Sequence, residues 1–166
     1  GLGLKIVLTS GTFDILHIGH SRYLEKAREG GDFLVVGVDS DEKTRKRKGP
    51  DRPMVGEEER LEILCHIRHV DIAFLKQVND EHWQLIKTVN PHVLVTSKGE
   101  YSTEELEALQ EFAGSVEVFE PQATTSTTAK IRKMFLTPVS EIKKKLRDAV
   151  QNVERFLDEL TGGGDD

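Results

Sequence analysis

Short apolar runs rich in β-branched residues alternate along this chain with longer segments of helical periodicity. The predicted strands are 5–9, 33–38, 71–75, 93–96 and 116–119, and the predicted helices are 19–29, 57–67, 81–89, 103–112 and 127–135. Alternation of this kind favours parallel strands, because each crossover between them needs a connection long enough to hold a helix. The sequence therefore predicts an α/β fold with a doubly wound, five-stranded parallel sheet. Ligands of such sheets bind beyond the carboxyl ends of the strands.

Size and composition exclude several classes of protein. The 166 residues suffice for one domain with a sizeable core, and a net charge of −6 argues against nucleic-acid binding. The chain has no apolar run long enough for a membrane span and no secretory signal pattern, so we expect a cytoplasmic protein without a membrane partner. The single Cys65 lies in a helical pattern, and we interpret it as a buried or half-buried structural thiol in a reducing compartment.

The first predicted strand leads into a small-residue turn, Gly11-Thr12-Phe13-Asp14, and then into two histidines, His17 and His20. A helix N-terminus binds anions through its unpaired N–H groups and the positive end of its dipole. Gly19, between the histidines, leaves room for a phosphate to approach the backbone. The alternative is an ordinary helix start with two solvent-exposed histidines. We interpret the segment as a site that holds the phosphates of a nucleotide.

A basic run follows the second predicted strand, between residues 44 and 53. Such a run is often only a solvated surface, but here it lies on the side of the sheet where the site is expected. Adjacent cations repel each other unless an anion is present, and a triphosphate or sugar phosphate would supply one. We favour Lys48 as the phosphate contact, with Lys46 and Arg52 as further candidates.

Three other segments carry candidate residues. Arg60 lies in the first turn of the helix predicted at 57–67, and it is either a surface residue or an intramolecular clamp. Lys98-Gly99-Glu100-Tyr101 follows the fourth strand, either as a simple turn or as a base or acceptor contact. Five consecutive hydroxyl residues, 124–128, exceed what a helix cap needs, and Thr127 and Thr128 are the preferred phosphate ligands. The Cys and His residues have no zinc-ligand spacing, so we expect no metal held by the protein.

The segment from Thr137 to Leu160 has an apolar stripe with 3-4 spacing and predicts an amphipathic helix. It either docks on the domain or serves as a dimerisation arm. We therefore divide the chain into a domain at 1–136, this helix at 137–161 and a disordered tail at 162–166.

Together these motifs resemble the cytidylyltransferase-like nucleotidylyltransferase family with its His-x-Gly-His signature, across about residues 4–135. Within that family the chain is most similar to the adenylyltransferase domain of bacterial heptose-phosphate enzymes. Four stretches carry the resemblance: 11–20, 41–53, 98–101 and 126–128.

The resemblance implies a Rossmann-like fold, and it implies transfer of a nucleotidyl group from ATP or CTP to a phosphorylated small-molecule acceptor. Mg²⁺ would arrive with the nucleotide, pyrophosphate would be released, and the protein would be a homodimer. The resemblance also implies three roles for the residues that match the family motifs: catalysis, nucleotide binding and acceptor binding. His17, His20 and Lys48 would be catalytic; Thr12, Phe13, Gly19, Ser126, Thr127 and Thr128 would bind the nucleotide; Asp14, Lys46, Arg52, Arg60 and Lys98 would contact phosphate or acceptor.

Departures from the family patterns bear on the substrates. Cytidylyltransferases for glycerol phosphate and choline phosphate have an Arg-Thr-x-Gly-Ile-Ser-Thr pattern, whereas this chain has Pro121, Thr124 and Thr125 at the Arg, Gly and Ile positions. We therefore favour ATP over CTP. Three alternatives stay open: a glycerol-3-phosphate-type cytidylyltransferase, an FAD-synthase-type adenylyltransferase, and a non-catalytic nucleotide-binding regulatory protein.

Overall fold

The computed structural model describes residues 3–122, 144, 146–151 and 153. The elements are β1 (Ile6–Gly11), α1 (Ile18–Glu29), β2 (Phe33–Asp39), α2 (Asp41–Lys48), α3 (Glu57–Cys65), β3 (Ile72–Lys76), α4 (Gln84–Val89), β4 (Val93–Ser97), α5 (Thr103–Leu109) and β5 (Ser115–Phe119). The contacts divide the chain into two units, Gly1–Ser126 and Thr127–Asp166. The described residues of the second unit are helical.

All five strands are parallel and lie in the order β3-β2-β1-β4-β5. The chain moves outward from β1 in one direction through β2 and β3, and then returns to place β4 on the other side of β1. Leu8 of β1 accordingly lies between Val35 of β2 and Leu94 of β4. The order reverses between β1 and β4, and the crevice beyond their carboxyl ends is where such sheets bind ligands.

Both faces of the sheet are covered by helices, which confirms the predicted fold class. Alternate residues of each strand point to opposite faces, so each face has its own core. On one face, α1 and α3 contribute Leu24 and Leu64 to a cluster with Val7. On the other face, Ile86 of α4 and Leu109 of α5 pack with Leu8 and its neighbours.

Most strand boundaries agree with the sequence to within two residues, but one helix was missed. No helix was predicted for the residues of the basic run, whereas the structure places Asp41–Lys48 in the helix α2. The predicted helix at 127–135 and most of 137–161 lie outside the described residues. Cys65 is exposed at the end of α3, so its interpretation as a buried or half-buried thiol is wrong. Across the described part of the chain, no helix is both long enough and apolar enough to cross a bilayer.

Tyr23 of α1 ties the two central strands together beneath the crevice. Its hydroxyl lies 2.7 Å from Thr9 Oγ1 on β1 and donates to the carbonyl oxygen of Val95 on β4 at 3.3 Å. Burial raises the pKa of Tyr23 to about 12, so the hydroxyl keeps its proton throughout the physiological range. Tyr23 therefore links α1 to both strands that flank the switch in strand order.

Tyr23→Phe is expected to lower the free energy of unfolding by about 1–3 kcal/mol, because it leaves the buried Thr9 hydroxyl without that partner. Urea unfolding measures the change. Thr9→Val in the Tyr23→Phe background should cost much less than Thr9→Val alone, since the shared bond is already lost. A Tyr23→Phe variant as stable as the original chain would contradict this role.

Candidate active site at the carboxyl edge of the sheet

The turn after β1 has an unusual backbone. Phe13 has φ 52° and Ile15 has φ 45°, a left-handed conformation that side chains with a Cβ rarely adopt. Thr12, Phe13 and Asp14 are all buried. Such strain persists only where surrounding contacts impose it, and it clusters at functional sites. The Phe13 ring packs edge-on against His20, with centroids 5.7 Å apart, so the turn also fixes one of the two histidines.

His17 and His20 form a reciprocal cap at the start of α1. The Gly19 N–H donates to His17 Nδ1 at 3.1 Å, and the His17 N–H donates to His20 Nδ1 at 3.3 Å. A ring nitrogen that accepts a hydrogen bond carries no proton, so each neutral imidazole carries its proton on Nε2. The rings lie 3.9 Å apart, tilted by 31°. The helix start therefore holds two imidazole N–H donors next to its own backbone N–H groups and the buried Gly19.

Helix α2 concentrates positive charge at its C-terminal end, in Arg45, Lys46, Arg47 and Lys48. Ser40 caps its N-terminus, and the negative end of the helix dipole stabilises the cations. This explains why adjacent cations are tolerated before any substrate binds. Partial burial lowers the pKa of Lys48, and the nearby Arg47 and Arg52 lower it further. Lys46 and Lys48 are nevertheless both exposed to solvent over much of their surface.

Arg60 is the intramolecular clamp that the sequence left as one of two alternatives. The side chain is 1% exposed. Its guanidinium donates to the carbonyl oxygens of Thr12, Asp39 and Val55 and to the Asp41 carboxylate at 2.7 Å. These bonds join the turn after β1, the end of β2 and the start of α2. They occupy Arg60 within the protein, which corrects the expectation that it contacts phosphate or acceptor.

Asp14 and Arg52 are also engaged within the protein. Asp14 Oδ1 accepts the N–H groups of Met54 and Val55 at 3.0 and 3.1 Å. The other oxygen of the Asp14 carboxylate lies 3.3 Å from Arg52 Nη2. The pair fastens the loop between α2 and α3 to the turn, and Arg52 is thereby brought close to Lys48.

Arg47 is the residue that sequence reasoning missed. It lies 2.9 Å from the Asp39 carboxylate and 2.8 Å from that of Glu100, and it donates to Thr12 Oγ1 at 3.1 Å. Helical spacing could have identified Arg47, had α2 been recognised as a helix. Thr44 is the buried residue of α2, and the residues three and four positions later lie on the same helix face. That spacing selects Arg47 and Lys48 from the basic run.

A cavity of about 300 Å³ opens beside this edge, between the ends of the strands and the start of α4. Its lining includes cations, carboxylates and aromatic rings: Lys43, Arg47, Lys76, Asp39, Asp80, Glu81, Glu100, Trp83 and Tyr101. Burial raises the pKa of Tyr101 to about 12, which keeps its hydroxyl protonated at neutral pH. Trp83 has φ 58°, and its buried Nε1 has no hydrogen-bond partner among the described residues. Such a lining suits a small molecule with both hydroxyl and anionic groups.

The segment after β4 contributes to the cavity through different residues from the one predicted. Glu100 and Tyr101 line it, whereas Lys98 is exposed and pairs with Glu120 at 2.7 Å. That contact raises the pKa of Lys98. Ser126, Thr127 and Thr128 lie outside the described residues, so their expected contact with the triphosphate stays a prediction. The described residues contain no group of three or more side chains suited to hold a metal ion.

The sequence profile described as cytidylyltransferase-like matches residues 8–134, which covers every described element of the site. The chain belongs to the cytidylyltransferase-like family. It is 41% identical over 136 residues to the bifunctional protein HldE of Geotalea uraniireducens, and 38% identical over 139 residues to that of Geobacter sulfurreducens. These alignments cover 78% and 80% of this chain but only 27% and 28% of the relatives.

Solved structures show the same fold. A lipopolysaccharide core biosynthesis protein from Thermoplasma volcanium is 30% identical, with a TM-score of 0.61, and the match covers 72% of this chain and 97% of that one. A pantoate-β-alanine ligase from Francisella tularensis has a TM-score of 0.51 at 15% identity, covering 72% of this chain and 60% of that one. The latter likeness concerns the fold alone.

Arg60→Ala is expected to lower the free energy of unfolding by about 3 kcal/mol or more. The change leaves three carbonyl groups and a carboxylate without their buried partner and opens a void. Urea unfolding tests this, with Arg68→Ala as the control, because Arg68 is exposed and should cost less than about 0.5 kcal/mol. Equal stability of the two variants would mean that Arg60 is not a clamp.

Proposed function

We propose that this chain transfers a nucleotidyl group, AMP in preference to CMP, from a nucleoside triphosphate to a phosphorylated sugar-type acceptor. The observation that carries the proposal is the pair of neutral imidazoles capping α1, next to a turn that Arg47 links to the mixed-charge cavity. Family membership supports the reaction class.

The proposed step is a direct in-line substitution. An oxygen of the acceptor's phosphate attacks the α-phosphorus of the nucleotide and forms a new P–O bond. The bond from that phosphorus to the bridging oxygen breaks, and pyrophosphate leaves with the electron pair. The attacking phosphate is already ionised at neutral pH, so the step needs no strong base. Catalysis then consists mainly of positioning and of stabilising the charge that develops.

The site residues suit those tasks. His17 and His20 would each donate an Nε2–H to an α-phosphate oxygen as the phosphorus becomes five-coordinate. The N-terminus of α1 adds its dipole, and Gly19 allows the phosphate to approach the backbone. Lys48 would pair with the departing pyrophosphate. Mg²⁺ would enter with the triphosphate as part of the substrate.

The acceptor belongs in the cavity beside the turn. Its carboxylates can accept hydrogen bonds from sugar hydroxyls, and its cations can pair with a phosphate. The Thermoplasma volcanium relative is named as a lipopolysaccharide core biosynthesis protein, which supports a sugar-phosphate acceptor. ATP is favoured over CTP because Pro121, Thr124 and Thr125 replace the cytidylyltransferase pattern. A homodimer and a cytoplasmic location remain predictions.

The test is pyrophosphate release from ATP and from CTP with Mg²⁺, measured against heptose, hexose and glycerol phosphates and against FMN. We expect release with ATP and a sugar phosphate. Release with CTP and glycerol 3-phosphate would instead identify a cytidylyltransferase, and release with ATP and FMN an FAD synthase. Nucleotide binding without release from any pair would overturn the proposal in favour of a regulatory protein.

His17→Asn and His20→Gln are expected to lower kcat by about 10²-fold or more, the scale of losing one preorganised donor. Asparagine at the cap position and glutamine three residues later preserve the capping box, so α1 should keep its start. Steady-state pyrophosphate release measures the change.

His66→Ala is the matched control, because His66 is exposed at the end of α3 and should leave kcat unchanged. A variant at position 17 or 20 with nearly normal kcat would remove that histidine from the mechanism.

A further inference from the structure

Arg47 bridges the two halves of the site. Its Nη2 contacts Thr12 Oγ1 at 3.1 Å and the Asp39 carboxylate at 2.9 Å, and its Nη1 contacts Glu100 at 2.8 Å. Thr12 lies in the turn after β1, whereas Arg47, Asp39 and Glu100 line the cavity. In-line transfer requires the acceptor's phosphate to meet the α-phosphate at the boundary between these two regions. The guanidinium lies at that boundary.

The two carboxylates that hold Arg47 are not equivalent. Asp39 is 2% exposed and also faces Lys76 at 3.4 Å, so it is fixed in place. Glu100 is 24% exposed and follows Gly99, whose φ of 83° marks a turn. The Glu100 side chain can therefore leave Arg47 at little cost, whereas Asp39 cannot.

We propose that Arg47 binds the phosphate of the acceptor, and that Glu100 holds Arg47 in the unliganded protein until that phosphate takes its place. This inference rests on the proposed function, since it assumes a phosphorylated ligand in the cavity. A planar guanidinium matches two oxygens of one phosphate, which makes arginine better suited than lysine to this exchange. A phosphate monoester carries between −1.5 and −2 charges at pH 7, so it competes well with one carboxylate.

Substitutions of Arg47 and of Glu100 are expected to have opposite effects on the affinity for a phosphorylated ligand. Arg47→Ala removes the ligand, whereas Glu100→Gln removes the charge that competes with the phosphate. If Arg47 were only a structural brace, both changes would loosen the site and weaken binding. Arg45→Ala is the matched control, because it removes the same charge from the same helix at a position that does not line the cavity.

Binding can be measured without turnover. Trp83 is the chain's single tryptophan and it lines the cavity, so its fluorescence reports on ligands there. We would titrate mannose 1-phosphate and inorganic phosphate into the full chain, with unphosphorylated mannose as the ligand control. The same titrations in the presence of α,β-methylene ATP show whether the occupied nucleotide site changes the result.

We expect Arg47→Ala to raise the Kd for mannose 1-phosphate about 10-fold or more, the scale of charge-assisted hydrogen bonds. Glu100→Gln should lower that Kd several-fold, Arg45→Ala should leave it unchanged, and Arg47→Ala should not weaken the binding of mannose. The inference is overturned if Arg47→Ala binds neither phosphate ligand more weakly than the original chain, or if Glu100→Gln weakens binding as Arg47→Ala does.

Failure of the proposed function would be seen separately, as absence of pyrophosphate release from every nucleotide and acceptor pair. Phosphate binding that depends on Arg47 would stand in that case. Conversely, normal release with a Kd that is indifferent to Arg47 would reject this inference and leave the proposed function intact.

Discussion

The buried guanidinium of Arg60 is the interaction on which the geometry of the site depends. A cation inside a protein is costly unless all its charge is matched by well-placed acceptors. Here those acceptors come from three separate segments: the turn at Thr12, the end of β2 at Asp39, and the loop at Val55, with Asp41 of α2 completing the set. Each segment must reach its place for any of them to be satisfied. One side chain thereby fixes the turn after β1 and the basic helix α2 relative to each other.

Most of the fold could be predicted from the sequence, because strands such as β2 are short apolar runs and the crossover helices alternate with them. The His-x-Gly-His segment could also be placed from the sequence, because it comes just after the first predicted strand and begins the next helix. Helix α2 could not be predicted from hydrophobic periodicity, because it has no apolar stripe. Its stability comes from the Ser40 cap, the dipole and ion pairs such as Arg47 with Glu100, which depend on residues far apart in the sequence.

The roles of Asp14, Arg52 and Arg60 could not be assigned from the sequence for a related reason. Each residue type fits a substrate contact as well as an internal one, and only the path of the loop at 52–55 decides between them. The site keeps its charges largely balanced before any substrate arrives. Arg47 has both Asp39 and Glu100 as partners, and Lys76 also faces Asp39, so these cations are already paired with carboxylates.

The cap formed by His17 and His20 has a consequence for the charge of the site. Each Nδ1 accepts a backbone N–H, so a proton on that nitrogen would set two donors against each other. A proton on either Nδ1 would therefore cost the cap one of its two side-chain hydrogen bonds. The contacts that start α1 also decide which ring nitrogen faces the site, so the helix and the candidate active site share one pair of hydrogen bonds.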